Sequence, residues 1–444
     1  MASSIIRTDK WVLAATPAAK RNLAATVREY RAYCRALSYV VMGHWAQLTE
    51  SKNFCSAVER LIHPTRRNSQ PKYSYFHQRF YKFPSYLRRA AIEFVKGQVS
   101  SYLTRYRAWQ SGQRKHRQER PPQFNPEAGC YPALYGGNVF QLDGELTVAR
   151  IKVWNSSDWV WQAVPIASKG RRHLWGQRQS PTLVVTPTRC QLAVPFRLDP
   201  NPLSGEAVCA VDVGINTLAT ASIVRSDGTV AARRFFHPAV DIDRRDKLAD
   251  SIRRKARKTK TLHPGFCRGL YRRMRHLNRN IAEQTSRRIA DFAAAHGASV
   301  VVFEDLQGWK PKAGRKRSGM KKRFHHWLHR SLVERTAEKF RELGGSAQTV
   351  YPRGTSSWAF DGSGRIRRDK RQYELATFPN GKRYNADLNA SYNIGARYWA
   401  HKLGLTRRKD GQVPHGRSPC GTPRMPATLS LLWDGEAAHG RAAS

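Results

Sequence analysis

Residues 207–214 read Ala-Val-Cys-Ala-Val-Asp-Val-Gly, an apolar run that contains a single acid, Asp212. Such a run is typical of a buried strand, and a carboxylate on a buried strand requires a compensating partner such as a divalent cation. The apolar pattern resumes through residues 217–224, turns at Asp227-Gly228 and returns through residues 229–236. Because Asp-Gly is a favoured two-residue hairpin turn, the sequence predicts an antiparallel meander with Asp212 on its first strand.

A second acidic segment lies at residues 298–306. It is a β-branched run that follows Gly297 and ends in Glu304 and Asp305, which predicts a buried strand with carboxylates at its end. Neighbouring side chains on a strand face opposite ways, so only one of these two acids can share a face with Asp212. We expect that acid to be Glu304.

The third acidic segment is residues 383–394, where Asn385 is a candidate helix cap and Asp387 would lie in the first helical turn. Each of the three acids alone has an ordinary explanation as a solvated loop residue or a partner of a helix dipole. Together they are two strand acids and one helix acid in chain order. This set can bind two metal ions about 4 Å apart, as an RNase H-like nuclease requires.

The charge balance points independently to a polyanionic partner. The chain has 78 Lys and Arg against 32 Asp and Glu, a net charge of +46. Basic residues alternate with aromatic residues at 73–83 and 102–109, a composition that suits phosphate neutralisation and stacking on unpaired bases. The alternative is that many of these aromatic side chains are ordinary core residues, which the helical spacing at 102–109 also fits.

The 444 residues exceed one comfortable hydrophobic core, so several domains are expected. Residues 1–15 predict the first strand of a small β-barrel, residues 16–125 a helical domain, and residues 126–204 the rest of the barrel. The tail, residues 406–444, is rich in Pro, Gly, Ser and Arg and is expected to be disordered.

A basic helical hairpin is predicted between the first two acidic segments, with a turn at His263-Pro264-Gly265. So many positive charges close together repel one another unless phosphates neutralise them. This density favours nucleic-acid binding over a merely solvated surface. The candidate nucleic-acid-binding residues are Arg253, Arg254, Lys255, Arg257, Lys258, Arg272, Arg273 and Arg279.

The chain resembles the RNA-guided nucleases that carry a RuvC domain, namely the TnpB proteins and the miniature type V CRISPR effectors. The matching elements, in family order, are Val-Asp-Val-Gly-Ile-Asn at 211–216 with Thr-Leu-Ala-Thr at 217–220, Phe-Glu-Asp-Leu at 303–306, and Asn-Ala-Asp-Leu-Asn-Ala-Ser-Tyr-Asn-Ile at 385–394. Tyr351-Pro352 and Thr355-Ser356-Ser357 also resemble the approach to the family's zinc ribbon. The resemblance covers residues 130–405 well and the N-terminal part loosely.

The resemblance implies an α+β multidomain fold. An RNase H-like RuvC α/β nuclease domain with the basic hairpin as an insertion would occupy residues 205–350 and 383–405, after a helical recognition region and the β-barrel. Residues 351–382 would be a ribbon insert. A guide RNA would pair with target DNA and supply sequence specificity.

The implied activity is magnesium-dependent endonuclease cleavage. Asp212 would bridge two Mg²⁺ ions, Asp387 would complete the site of the ion that activates water, and Glu304 that of the ion at the departing 3′ oxygen. Two alternatives stay open: a guide-directed DNA-binding protein that acts as a roadblock without cutting, and a structure-specific nuclease that needs no guide. Transposon-encoded and CRISPR origins both remain open as well.

One departure from the family concerns zinc. Most relatives bind structural zinc through two Cys-x-x-Cys pairs between the second and third acidic segments, whereas this chain has no cysteine between Cys267 and Cys420. We therefore expect no zinc. An aromatic cluster is expected to replace the metal as the packing element of the insert, since metal-stapled modules have little core of their own. Its expected members are Trp358, Phe360, Tyr373 and Phe378.

The seven cysteines show no pairing pattern, which predicts a reduced protein. The sequence contains no 18-residue apolar run and no signal peptide. These features predict a cytoplasmic, nucleoid-associated protein with no membrane partner.

Overall fold

The computed structural model describes residues 4–65, 68–114, 120–170, 173–214, 217–259, 262–306, 328–369, 371–372, 374–405 and 427–433. The chain forms two compact units, Ser4–Asp199 and Pro200–Ser444, called here the N-terminal and C-terminal units. Each unit combines helices with a sheet, which confirms the predicted mixed α and β multidomain fold. In the described ranges, no helix is both long enough and apolar enough to cross a membrane.

The N-terminal unit contains one sheet and several helices. In chain order its elements are β1 Ile5–Leu13, α1 Pro17–Gly43, α2 Trp45–Glu50, α3 Phe54–Ile62, α4 Tyr75–Arg79, α5 Ser85–Gln110, β2 Phe140–Leu142, β3 Val148–Trp154, β4 Trp159–Ser168, β5 Gln177–Arg178, β6 Thr182–Val185 and β7 Cys190–Leu198. The strand order is β2-β3-β4-β1-β7-β5, and β6 also pairs with β7. A bridge between Ala133 and Thr182 joins the chain ahead of β2 to β6.

Helix α1 begins where the sequence predicts. The Thr16 hydroxyl accepts a hydrogen bond from the Ala19 amide at 3.2 Å, and Pro17 at the first helical position has the fixed φ that a helix needs. The apolar stripe of α1 is buried throughout: Leu23, Val27, Tyr30, Cys34, Leu37 and Val41. This stripe packs against α5 and also against β3 and β6. Residues 16–125 and 126–204 therefore share one core, whereas the sequence predicts two separate domains.

The C-terminal unit is built on a five-stranded sheet. Its elements are β8 Ala207–Asp212, β9 Ala219–Arg225, β10 Val230–Phe236, α6 Ala239–Thr259, α7 Arg268–Ala295, β11 Ala298–Glu304, α8 His329–Glu342, β12 Ser346–Val350, β13 Arg367–Arg368, β14 Leu375–Thr377, β15 Arg383–Asn385 and α9 Ala386–Lys402. The order is β10-β9-β8-β11-β12. Strands β8 to β10 form the predicted antiparallel meander, and β11 runs parallel to both β8 and β12.

Helices cover both faces of this sheet. On β8, Cys209 and Val211 belong to a core shared with α7 and α8, while Val208 and Ala210 belong to a core shared with α9. The alternation follows from the two-residue period of a strand. By the same alternation, Asp212 lies on the face that α9 covers.

The predicted disordered tail, residues 406–444, is described only at residues 427–433. There the prediction is wrong, because a short helical segment buries Leu429 and Leu432 in the core on the α9 side of the sheet. These two leucines are three residues apart and share one side of the turn. The Ser430 amide also donates to the Phe360 carbonyl at 3.1 Å. The remainder of the tail lies outside the described residues.

Candidate active site

Asp212 and Glu304 end two neighbouring parallel strands. The register of β8 and β11 pairs Val211 with Phe303, so Asp212 and Glu304 are the next pair along the ladder. Parallel strands in register present such a pair on the same face, here the face that α9 covers. The adjacent acid, Asp305, points the other way and is exposed. The structure therefore brings together the two strand acids that the sequence selects.

Asp387 lies in the first turn of α9, as the cap pattern predicts. The side chain of Asn385 accepts hydrogen bonds from the amides of Asp387 at 3.0 Å and Leu388 at 2.9 Å. This cap satisfies two of the amides that every helix leaves free at its start. It thereby fixes where α9 begins and where Asp387 stands.

Contacts with β9 hold α9 against the sheet. The hydroxyls of Ser391 and Ser222 are 2.5 Å apart in a fully buried pair, and the Trp399 indole donates to the Val224 carbonyl at 2.9 Å. Gly395 faces Val224 so closely that a Cβ atom on Gly395 would overlap the valine side chain. The close approach of α9 to the sheet therefore depends on a residue without a side chain.

The three carboxylates influence one another electrostatically. Burial raises the pKa of Asp212 above its usual range, and the nearby charges of Glu304 and Asp387 raise that pKa further. Burial also raises the pKa of Glu304 and of Asp387. Like charges in a desolvated site oppose ionisation, and this is the arrangement that a bound cation relieves.

Four further side chains oppose these upward shifts. Arg368 on β13 lowers the pKa of both Asp212 and Asp387, and a hydrogen bond from Thr217 also lowers the pKa of Asp387. Thr355 and Arg397 act in the same direction on Glu304. The acid pattern alone did not single out Thr217, Arg368 or Arg397, because each reaches the site through tertiary contacts.

The donor chemistry of the three acids fits magnesium, which prefers carboxylate oxygens. Within the described ranges, however, no group of three or more acid, histidine or cysteine side chains is already close enough to hold one ion. The carboxylates can affect one another's pKa values without lying close enough to hold one ion, since charges act over longer distances than metal–ligand bonds.

The insert between the second and third acidic segments carries an aromatic cluster. Phe360 and Phe378 pack edge to face with ring centroids 5.5 Å apart, as predicted. The other members differ from the prediction: Phe360 also contacts Tyr384 and Tyr392, each at 5.2 Å, and Trp433 at 6.4 Å.

Two predicted members of the cluster remain. Trp358 lies under the guanidinium of Arg365 at 5.7 Å, so its main partner is a cation. Tyr373 is outside the described residues. The sequence could not identify Tyr384, Tyr392 and Trp433 as members because they come from β15, α9 and the tail.

The basic hairpin consists of α6 and α7, which pack through a small core of Ala249, Ile252 and Met274. All eight candidate nucleic-acid-binding residues are exposed on these two helices: Arg253, Arg254, Lys255, Arg257, Lys258, Arg272, Arg273 and Arg279. Lys247 and Asp250 join three of them around a shallow groove. Only the Asp250 carboxylate, which pairs with Arg253, contributes negative charge to the residues lining this groove.

Comparison with known proteins adds sequence relatives. Residues 7–155 match the model of the Aq_aa04 family. The TnpB-like protein aq_aa05 of Aquifex aeolicus (strain VF5) is 31% identical over 176 residues, which cover 36% of this chain and 54% of that protein. This chain is similar to a TnpB-like protein. It spans about half the length of the curated relative that it matches.

Solved structures also match this chain. The mini-RNA-guided endonuclease CRISPR-Cas_phi3 superposes with a TM-score of 0.51 at 11% identity, covering 89% of this chain and 92% of that one. A Cas12f1-sgRNA-target DNA complex matches with a TM-score of 0.33 at 13% identity, covering 88% and 99%. The Cas_phi3 comparison shows that this chain shares the fold of that protein.

Proposed function

We propose that this chain is an RNA-guided DNA endonuclease whose C-terminal unit is an RNase H-like RuvC domain. The observation that carries the proposal is the placement of Asp212 and Glu304 as a register pair, with Asp387 coupled to Asp212 from the first turn of α9. The strand order, a three-stranded meander followed by two parallel strands, supports the same assignment. The relationship to a TnpB-like protein supports guide RNA and target DNA as partners.

In this proposal Asp212, Glu304 and Asp387 hold magnesium. Bound Mg²⁺ would supply activation of a water molecule and stabilisation of the leaving 3′ oxygen. The protein's part is to keep the three carboxylates desolvated and close, so that binding a cation removes their mutual repulsion. Binding also requires the ionised acids, and their raised pKa values mean that loading releases protons.

The exposed basic hairpin would hold the nucleic acid near this site. Its lysines and arginines can neutralise phosphates without reading sequence, which suits a protein whose guide provides specificity. The absence of cysteine between Cys267 and Cys420 removes the donors of the family's zinc site, so the proposal includes no zinc.

A second candidate is a guide-directed DNA-binding protein that does not cut. The observation that favours it is the spacing of the acids, since the described residues contain no preformed group of three metal ligands. Both candidates predict guide-dependent binding. They differ only in whether the strand is broken.

The deciding experiment is to express the chain with its native neighbouring locus, sequence the RNA that copurifies, and add matching double-stranded DNA with magnesium. Cleavage that requires both guide match and Asp212 would support the endonuclease, with Asp212→Ala as the binding-competent control. Tight matched binding without cleavage would instead support the roadblock. Cleavage without any bound RNA would contradict both.

A further inference from the structure

Three polar residues on α9 form a buried row one helical turn apart: Asn389, Asn393 and Arg397. All are at most 2% exposed. Positions four apart lie on one face of a helix, so this row, called here the polar ladder, presents amide and guanidinium groups to one neighbour. That neighbour is residues 351–360, the start of the insert.

The ladder binds the backbone of this segment. The hydrogen bonds run from Asn389 Nδ2 to Trp358 O at 2.8 Å, from Asn393 Nδ2 to Thr355 O at 2.9 Å and Trp358 O at 2.8 Å, and from Arg397 Nη1 to Arg353 O at 3.2 Å and to Tyr351 O. In return, Asn389 Oδ1 accepts from the Phe360 amide at 2.8 Å. All of these hydrogen bonds join the polar ladder to main-chain atoms, so they constrain the backbone of the segment directly.

Breaking this arrangement is costly. A buried polar group that loses its partner costs about 1–3 kcal/mol, and more when it is charged. Residues 351–360 therefore stay docked on the helix that also carries Asp387. The position of this segment is coupled to the third acid.

The docked segment reaches the second acid through Thr355, which is 1% exposed. Its hydroxyl contacts the Glu304 carboxylate and also lies 2.8 Å from the Pro352 carbonyl. Since the Thr355 carbonyl is held by Asn393, a continuous set of hydrogen bonds joins α9 to the end of β11. The chain thus links two of its three acids by a route that avoids metal and cysteine.

We infer that Thr355 is a positioning residue for Glu304, held in place by the polar ladder. The inference rests on the proposed function, because it assigns Thr355 a part in the magnesium site. A hydrogen bond to one carboxylate oxygen restricts rotation of the carboxylate and leaves Glu304 oriented to bind a metal ion. A hydroxyl suits this purpose because it donates without adding charge.

The competing explanation is local, namely that Thr355 only stabilises its own turn through Pro352. Two substitutions separate the explanations. Thr355→Val keeps the shape and removes the hydroxyl, while Thr355→Ser keeps the hydroxyl and removes a methyl group. If Thr355 positions Glu304, Thr355→Ser should retain the magnesium binding that Thr355→Val loses.

The test is a magnesium titration of the full chain with its copurified RNA, read by melting temperature and by cleavage of matched DNA. Thr355→Val is expected to raise the half-saturating Mg²⁺ concentration about 10-fold with matched DNA binding unchanged. Thr355→Ser is expected to restore the wild-type titration. Asn393→Ala is expected to shift the titration in the same direction as Val, because it releases the Thr355 carbonyl.

The outcomes separate this inference from the proposed function. The positioning role is overturned if Thr355→Val lowers the melting temperature but has the same half-saturating Mg²⁺ concentration as the wild type. It is also overturned if Thr355→Ser binds Mg²⁺ as weakly as Thr355→Val. If the wild type never cleaves while magnesium raises its melting temperature and Val shifts that titration, cleavage fails and positioning stands. If magnesium changes neither readout of the wild type, both are overturned. Should Asn393→Ala fail to fold, the Val and Ser pair decides alone.

Discussion

The Thr355 hydroxyl contacts the carboxylate of Glu304 although the two residues are 51 positions apart in the chain. Glu304 ends β11, and Thr355 lies beyond β12 in the insert. The insert therefore forms part of the wall of the candidate site. Substitutions in it are expected to affect the acids as well as local stability.

The first prediction concerns stability without metal. The pKa of Asp212 is raised in the folded protein, so its contribution to stability is complete below pH about 3.9, where the unfolded side chain titrates. That contribution is lost as pH rises toward the folded pKa. Asp212→Asn has no ionisable group and so removes this pH-dependent loss, and it is expected to raise the metal-free melting temperature at pH 7.

The measurement is a melting curve at several pH values with and without Mg²⁺. Each kcal/mol gained corresponds to about 2–4 °C in a unit of this size. Magnesium is expected to raise the melting temperature of the wild type much more than that of Asp212→Asn. A variant that melts below the wild type in the absence of metal would contradict the electrostatic picture.

The second prediction concerns the contact between α9 and the sheet. Gly395→Ala places a methyl group against Val224 and is expected to cost about 1–3 kcal/mol of unfolding free energy, the usual range for overpacking. The matched control is Gly269→Ala in α7, where a Cβ atom would meet nothing within 4 Å. Alanine there should be neutral or stabilising by up to about 1 kcal/mol. Equal effects at the two glycines would argue against tight packing at Gly395.

The third prediction tests the basic hairpin. Changing Arg272, Arg273 and Arg279 together to Gln should weaken nucleic-acid binding at all sequences alike, since phosphate contacts carry no sequence information. The slope of log affinity against log salt should fall by about 0.9 per lost contact, or about 2.7 for three. Anisotropy titrations across salt concentrations measure this slope.

Arg330→Gln provides the control for the hairpin. Arg330 is exposed on α8 and pairs with Glu334 at 2.8 Å. Its replacement by Gln also removes one positive charge from the C-terminal unit. Its salt slope should stay near that of the wild type. A triple variant with an unaltered slope would exclude these arginines from phosphate contact.

The fourth prediction concerns the aromatic cluster of the insert. Phe360→Ala is expected to cost about 3–5 kcal/mol, because the ring is buried and touches four other aromatic rings. Phe235→Ala on β10, where the ring is 46% exposed, should change stability by only about 0.5 kcal/mol. Chemical denaturation of both variants makes the comparison.

The same cluster bears on metal content. Purified protein is expected to hold far less than one zinc per chain, and a zinc chelator should leave its melting temperature unchanged. Elemental analysis that finds one zinc per chain would refute the expected replacement of metal by aromatic packing.

Much of the sheet of the C-terminal unit could be predicted from local patterns. The run that ends at Asp212, the turn at Asp227-Gly228 and the run that ends at Glu304 each combine a clear hydrophobic period with clear turn chemistry. The Asn385 cap likewise depends only on residues within the same turn. Such features need no knowledge of tertiary contacts.

What could not be predicted depends on residues distant in the chain. The joining of the N-terminal helices and strands in one core requires α1 to pack on β3 and β6, which no local pattern specifies. The composition of the tail predicts disorder, yet Leu429 and Leu432 pack into the core at 427–433. No local pattern distinguishes Arg397 from the other cations of this basic chain, and only the fold shows that it is buried.

The row of Asn389, Asn393 and Arg397 also affects how the insert can change in evolution or by design. A zinc site with four cysteine ligands loses much of its affinity in a single step when one ligand is lost, because structural zinc is four-coordinate. A row of separate amide and guanidinium groups can be altered one position at a time, with each change loosening the insert by a further step. Substitutions at these three positions would therefore change the rigidity of the segment beside Glu304 gradually. Each single variant along the way would still fold.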